Sequence, residues 1–95
     1  MNYFQQGDVL LKQCNKPSNV EKLKTDLLWK GANHHHRIKG KFMIGKSGDD
    51  IFVHSKGATL FHEEHKDIFL PEGFYKLGIV MEYDHQAEES RRVID

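Results

Sequence analysis

Hydrophobic positions along this chain come in short runs that are punctuated by glycine, proline, asparagine and aspartate. Val9-Leu10-Leu11-Lys12-Gln13-Cys14 follows Gly7-Asp8 and ends at Asn15-Lys16-Pro17-Ser18-Asn19, the signature of a strand between turns. Val20, Leu23, Leu27 and Leu28 fit helical spacing behind a Ser18 or Asn19 cap, so Val20 to Leu28 reads as a helical turn or two or as an extended loop. Leu27-Leu28-Trp29 reads as a short strand ending at Gly31. Lys41 to Ile44 and Ile51 to His54 flank Gly45-Lys46-Ser47-Gly48-Asp49-Asp50, a hairpin signal, and Ser55-Lys56-Gly57 reads as a further turn. Ala58 to Glu64 alternates, with Ala58, Leu60 and His62 on one face. Asp67 to Leu70 stops at Pro71-Glu72-Gly73, and Phe74 to Tyr83 is the longest strand candidate.

Six to seven short strands with regular turn signals, and at most one short helix, predict a mainly β fold: a small β-barrel or sandwich. The 95 residues fit one domain, 1–95, with a thin core that favours a metal or homo-oligomerisation as additional support. Charges balance, 14 Lys+Arg against 14 Asp+Glu, which argues against a nucleic-acid binder. No apolar run approaches the roughly 20 residues of a spanning helix. The start, Met1 to Asp8, lacks the charge and apolar stretch of a signal peptide. The single Cys14 excludes a disulfide within the chain, and a cytoplasmic setting is expected. Cys14 itself reads as a small apolar residue near a strand end.

The chemistry lies in the histidines, of which there are seven. His34-His35-His36 and His62-Glu63-Glu64-His65 carry donors suited to Zn, Fe, Ni or Mn. On strands, His34 and His36 share a face, as do His62 and Glu64. The candidate metal ligands are therefore His34, His36 and His62, with Glu64 or His65 as the fourth. Glu64 is alternatively a general base for metal-bound water, and hence the candidate catalytic residue. The bland alternative is a solvated turn at the triplet and a salt-bridged strand end at the quartet. His54 and His85 stand alone. Gly45-Lys46-Ser47-Gly48 lacks the frame of a phosphate loop. Arg91 and Arg92 could clamp an anion or pair with Glu82, Glu88 or Glu89.

Three segments together carry a resemblance. They are Gln6-Gly7-Asp8-Val9-Leu10-Leu11, the His34-His35-His36 triplet, and Leu60-x-His62-Glu63-Glu64-His65-x-x-Ile68-x-Leu70-Pro71-x-Gly73-x-Tyr75 with Glu82-Tyr83 and Arg91-Arg92-Val93-x-Asp95. The combination resembles a group of short uncharacterised proteins of bacteria and phages, which supplies no activity. Asn33 stands where that group has a glycine before its first histidine. The Leu70-Pro71-x-Gly73-x-Tyr75 stretch is also similar to strands of small cupin barrels, in which an HxH pair, a glutamate and a later histidine surround one metal. The full cupin motifs are absent. Together these features predict a metal-binding, cupin-like domain of unknown substrate, whose status as an enzyme stays open. The alternative is a non-enzymatic module, phage- or mobile-element-encoded, holding an anionic metabolite or nucleotide through its histidines, Arg91 and Arg92.

Overall fold

The computed structural model describes residues 2–31 and 35–80. They form eight strands: β1 (Tyr3–Gln6), β2 (Val9–Cys14), β3 (Glu21–Leu23), β4 (Leu27–Lys30), β5 (His35–Ser47), β6 (Asp50–His62), β7 (His65–Leu70) and β8 (Gly73–Ile79). No helix occurs among the described residues, and the helical reading of Val20 to Leu28 is replaced by β3 and β4. The leucine spacing there serves two short strands, both laid antiparallel on β5. No helix long and apolar enough to cross a membrane occurs among the described residues, a statement that leaves strands aside.

All eight strands belong to one antiparallel sheet, ordered β1-β2-β8-β6-β5-β3, with β4 also on β5 and β7 also on β6. The expected closed barrel is not formed: the sheet is open, with β1 and β3 at its edges. The reason lies in the length of β5 and β6, thirteen residues each. Their half nearest Gly48-Asp49 is flanked by β3 and β8, and their other half by β4 and β7. Gly48, with φ +62°, takes the first place of the two-residue loop between them, a position that only glycine fills without strain.

Ser55-Lys56-Gly57 is not a turn; β6 runs straight through it. The two long strands change register together between Gly40 and Phe42, and both Gly40 (φ +103°) and Gly57 (φ +108°) sit at the bend. A Cβ on Gly40 would lie 2.6 Å from the Gly57 carbonyl oxygen, so the strands can cross there only without a side chain. Buried Ser55 holds the bend: its hydroxyl donates to Leu70 O at 2.7 Å and accepts from Ala58 N–H at 3.0 Å and Gly57 N–H at 3.3 Å. The core is made of Val9, Leu11, Leu28, Ile38, Ile44, Val53, Ala58, Leu60, Leu70 and Tyr75. Tyr75 satisfies its hydroxyl on Pro71 O at 2.7 Å, so a fully buried ring carries no unpaired polar atom.

Candidate functional site

Two hairpin turns and the start of β5 meet at one end of the molecule. The β1–β2 hairpin turns through Gly7-Asp8, pairing Gln6 with Val9. The β6–β7 hairpin turns through Glu63-Glu64, pairing His62 with His65. Between them β5 begins, presenting His36, whose backbone partner is Trp29 on β4. The outcome is a stack of imidazoles. His36 and His62 have ring centroids 4.3 Å apart, His62 and His65 4.6 Å, and His36 and His65 6.1 Å. His36 is 2% exposed and His62 9%, whereas His65 faces outward. Gly7, φ +61°, lies directly over the group: a Cβ there would stand 2.8 Å from His65 Nε2 and 3.4 Å from His36 Cε1. Glycine is required at this point both for the turn and for the approach of the backbone to the rings.

Gln6, 2% exposed, organises the cluster. Its Nε2 donates to Lys66 O at 2.8 Å and to Leu60 O at 3.1 Å. Leu60 is where the β6–β7 ladder slips out of register, and the Gln6 amide supplies the donors that the ladder lacks there. Both amide hydrogens being used, Gln6 Oε1 faces His36 Nδ1 at 3.0 Å as an acceptor. His36 must therefore carry its proton on Nδ1, and in the neutral ring the lone pair sits on Nε2. That atom is 3.3 Å from Asp8 Oδ1. Burial first, then the neighbouring His62, pulls the His36 imidazole below its ordinary value, with His65 adding to this and Asp8 opposing it. At neutral pH a lone pair thus lies beside a half-exposed carboxylate oxygen.

His62 differs. Its Nδ1 accepts the Glu64 backbone N–H at 3.0 Å, so its neutral ring carries the proton on Nε2. It suits the donation of a hydrogen bond better than the ligation of a metal through Nε2. Glu64 is exposed in the tight turn, and alternation does not bring it beside His62; the partner of His62 across the hairpin is His65. The sequence reading took Glu63 and Glu64 as part of a continuing strand, which is why it set His62 with Glu64. Among the described residues, no three histidine, cysteine or acidic side chains are gathered closely enough to form a ready metal cage.

Of the residues singled out from sequence, the fold brings His36, His62 and His65 together. His34, Arg91 and Arg92 lie outside the described residues, as does His85. Gln6 and Asp8 were not among the candidate ligands. The signal for them was the two-residue Gly7-Asp8 turn, which as a hairpin makes Gln6 the last residue of a strand. Cys14 is half-buried, and burial pushes its thiol up, with Lys76 opposing, so it stays a thiol rather than a nucleophilic thiolate.

The fold and this cluster define a small antiparallel β domain with a buried, amide-oriented imidazole centre under a glycine turn. The chain belongs to the DUF8820 family, described as a domain of unknown function, which matches residues 5–79. That span begins just before Gln6 and closes with β8, so it takes in Gln6, Asp8, His36, His62 and His65. Neither a search of characterised proteins nor one of solved structures gave a match.

Proposed function

We propose that this domain binds a divalent transition-metal cation at the end of the sheet where β1, β5 and β7 meet. The carrying observation is the His36 Nε2 atom facing Asp8 Oδ1 at 3.3 Å while Gln6 fixes the ring proton on the opposite nitrogen. An amide that orients a ligating imidazole through its other nitrogen is the usual outer support of such a site. The donor set that fits is His36, Asp8 and His65. The 6.1 Å between the His36 and His65 rings lies within reach, by rotation of the exposed His65, of the ~5 Å expected for two imidazoles sharing a tetrahedral ion. His62 contributes an Nε2–H donor beside the ion. The layout is cupin-like in chemistry, with imidazoles from adjacent strands of one sheet. Zinc, nickel, iron or manganese would be accepted by nitrogen and carboxylate donors of this kind. When bound, the ion would offer Lewis acidity and an open position to a further ligand. This chain's own residues orient the donors, shield one side from water and hold the proton on His36 Nδ1.

The test is calorimetric titration of chelator-stripped protein, purified without a metal column, with Zn²⁺, Ni²⁺ and Mn²⁺. One of them binds at unit stoichiometry, and binding is lost in His36→Ala and Asp8→Asn but kept in His54→Ala. At a hundredfold excess over Kd the ion adds about 2.7 kcal/mol to stability. Equal uptake by the wild type and by His36→Ala overturns the proposal.

A further inference from the structure

A cavity lies on the other face of the sheet, toward the Gly48 end. Seven residues separate His36 from Met43 along β5, so the two sites are about 20 Å apart. Met43 pairs with His54, and His54 with Phe74, which places these three side chains in one row across β5, β6 and β8. Phe52 is two residues before His54 on the same face. Their strand neighbours Ile44, Val53 and Tyr75 point the opposite way and fill the core. The face of an antiparallel sheet turned away from the core is ordinarily polar; here it carries a methionine, two phenylalanines and a histidine.

Part of this row is roofed by the segment between β2 and β3. Val20 presses onto Gly45, where a Cβ would meet its Cγ1, and Asn19 takes a positive φ of 54° to bring the segment across. The roof is incomplete. A cavity of 280 Å³ stays open between Lys16, Val20, Met43, Phe52, His54 and Phe74. That is near the lower end, about 300 Å³, of cavities that hold small ligands. His54 lies against Phe74, with centroids 4.0 Å apart, and its ring has no hydrogen-bond partner among the described residues. Burial and the charges of Lys56 and Lys16 hold the His54 imidazole below its ordinary value, and Glu72 is the one opposing charge. Lys76, on the neighbouring strand, is engaged by Asp50 at 3.5 Å. Lys16 lines the cavity, and Lys56 follows His54 by two residues along β6, so two lysines against one glutamate act on His54 beside a floor of flat apolar groups.

We propose that this cavity is a binding site for a small aromatic carboxylate, its ring between Phe52, Phe74 and Met43 and its acid group toward Lys16, Lys56 and His54. The apolar row accepts one or two fused rings by area and shape. Lys16 on the wall and the excess of positive charge around His54 favour an anion, and His54 supplies a hydrogen-bond donor at the boundary between the two. The site shares no residue with the imidazole cluster, so it stands or falls separately from metal binding.

The experiment is an NMR titration of the full chain with indole-3-acetate, with the neutral 3-methylindole, and with acetate. Both ring compounds shift the Met43 methyl and the Phe52 and Phe74 ring signals, the acid binds several-fold tighter than the neutral compound, and acetate shifts none of them. His54 titrates at higher pH in the acid complex. Lys16→Gln with Lys56→Gln, both on the surface, abolishes the preference for the acid and leaves ring binding in place. Phe52→Leu, chosen to keep the strand folded, weakens both ring compounds severalfold. Silence of the Met43 methyl up to the solubility limit of both ring compounds overturns the proposal. So does a neutral compound that binds as tightly as the acid. Shifts of the same signals that depend on protein concentration alone would assign the face to a second copy of the chain, and equally overturn it.

Discussion

Replacing Gln6 by glutamate is the sharpest probe of how the imidazole centre is built. The change is nearly isosteric and keeps an acceptor for His36 Nδ1, 3.0 Å away. It removes both hydrogens that now serve Leu60 O and Lys66 O, at 3.1 and 2.8 Å. A carboxylate in that place would face two carbonyl oxygens in a site that is 2% exposed. Each buried group left without its partner costs about 1–3 kcal/mol. Two such carbonyls, with some relief from a charge-assisted bond to His36, give a loss of about 2–4 kcal/mol. For a domain of this size each kcal/mol lowers Tm by about 4–8 °C, so the expected drop is at least about 8 °C. Gln6→Leu, which also leaves His36 Nδ1 unpaired, should be at least as unstable as Gln6→Glu. The assays are thermal unfolding by circular dichroism and long-range ¹⁵N–¹H correlation of the histidine rings, which reports the tautomer. Wild-type protein shows His36 protonated on Nδ1 at pH 7.5. If Gln6→Glu melts with the wild type, or if His36 carries its proton on Nε2, the amide oxygen is not the orienting acceptor and the lone pair does not face Asp8.

The remaining predictions concern the glycines and the titration of the cluster. Gly7→Ala meets both a positive φ and His65 Nε2 at 2.8 Å; it should cost about 1–3 kcal/mol in urea unfolding, and Gly7→Ala with His65→Ala should recover only the part due to the contact. Gly40→Ala and Gly57→Ala impose the same backbone strain, at φ +103° and +108°, but only the first meets an atom, the Gly57 oxygen at 2.6 Å. Gly40→Ala should therefore be clearly the less stable of the two, and equal stabilities would show that the strands part readily at the bend. His36 titrates lower folded than its ordinary 6.5, so the unfolded chain binds the extra proton first. Its contribution is fully present above the unfolded value and is lost as pH falls through the folded one. Chelator-treated protein should lose stability on acidification below about pH 6.5, with a slope that flattens in His36→Ala; an unchanged slope assigns the effect to other groups.

The parts of this fold legible in the sequence are those governed by local chemistry. Strand β2, the leucines of β4 and the hairpin loop containing Gly48 were marked by turn residues and β-rich runs. What failed did so because long-range pairing overrode local signals. Val20, Leu23 and Leu27 satisfy helical spacing as well as they satisfy two short strands, and β5 decides between the two by offering free edges. Gly57 reads as a turn because glycine turns and glycine bends look alike in one dimension; only Gly40 opposite it, shown by the register shift, tells them apart. Strand β1 is not legible from Gly7-Asp8 alone, because the same dipeptide suits the opening of β2 and a two-residue loop between two strands.

That last ambiguity has the largest functional consequence, because the site depends on it. The histidines were visible as donors, but a histidine becomes a directed ligand only when its other nitrogen is committed, and the group that commits His36 comes from β1, thirty residues away. The open sheet explains why such a group is there. Where β6 and β7 slip out of register, carbonyls are left that no neighbouring strand can serve, and β1 lies close enough to serve them by a side chain but does not form a ladder with β7. Glutamine is the residue that can do this and still turn an acceptor to His36, since neither a carboxylate nor a hydroxyl has two donors and an acceptor on one planar group. The same residue that seals the fold at its irregular seam therefore sets the imidazole proton. Stability of the seam and orientation of the centre cannot be changed independently, and substitutions at Gln6 should move Tm and His36 tautomer together while substitutions at Asp8, which is half exposed, should alter cation affinity with little effect on Tm in the absence of metal.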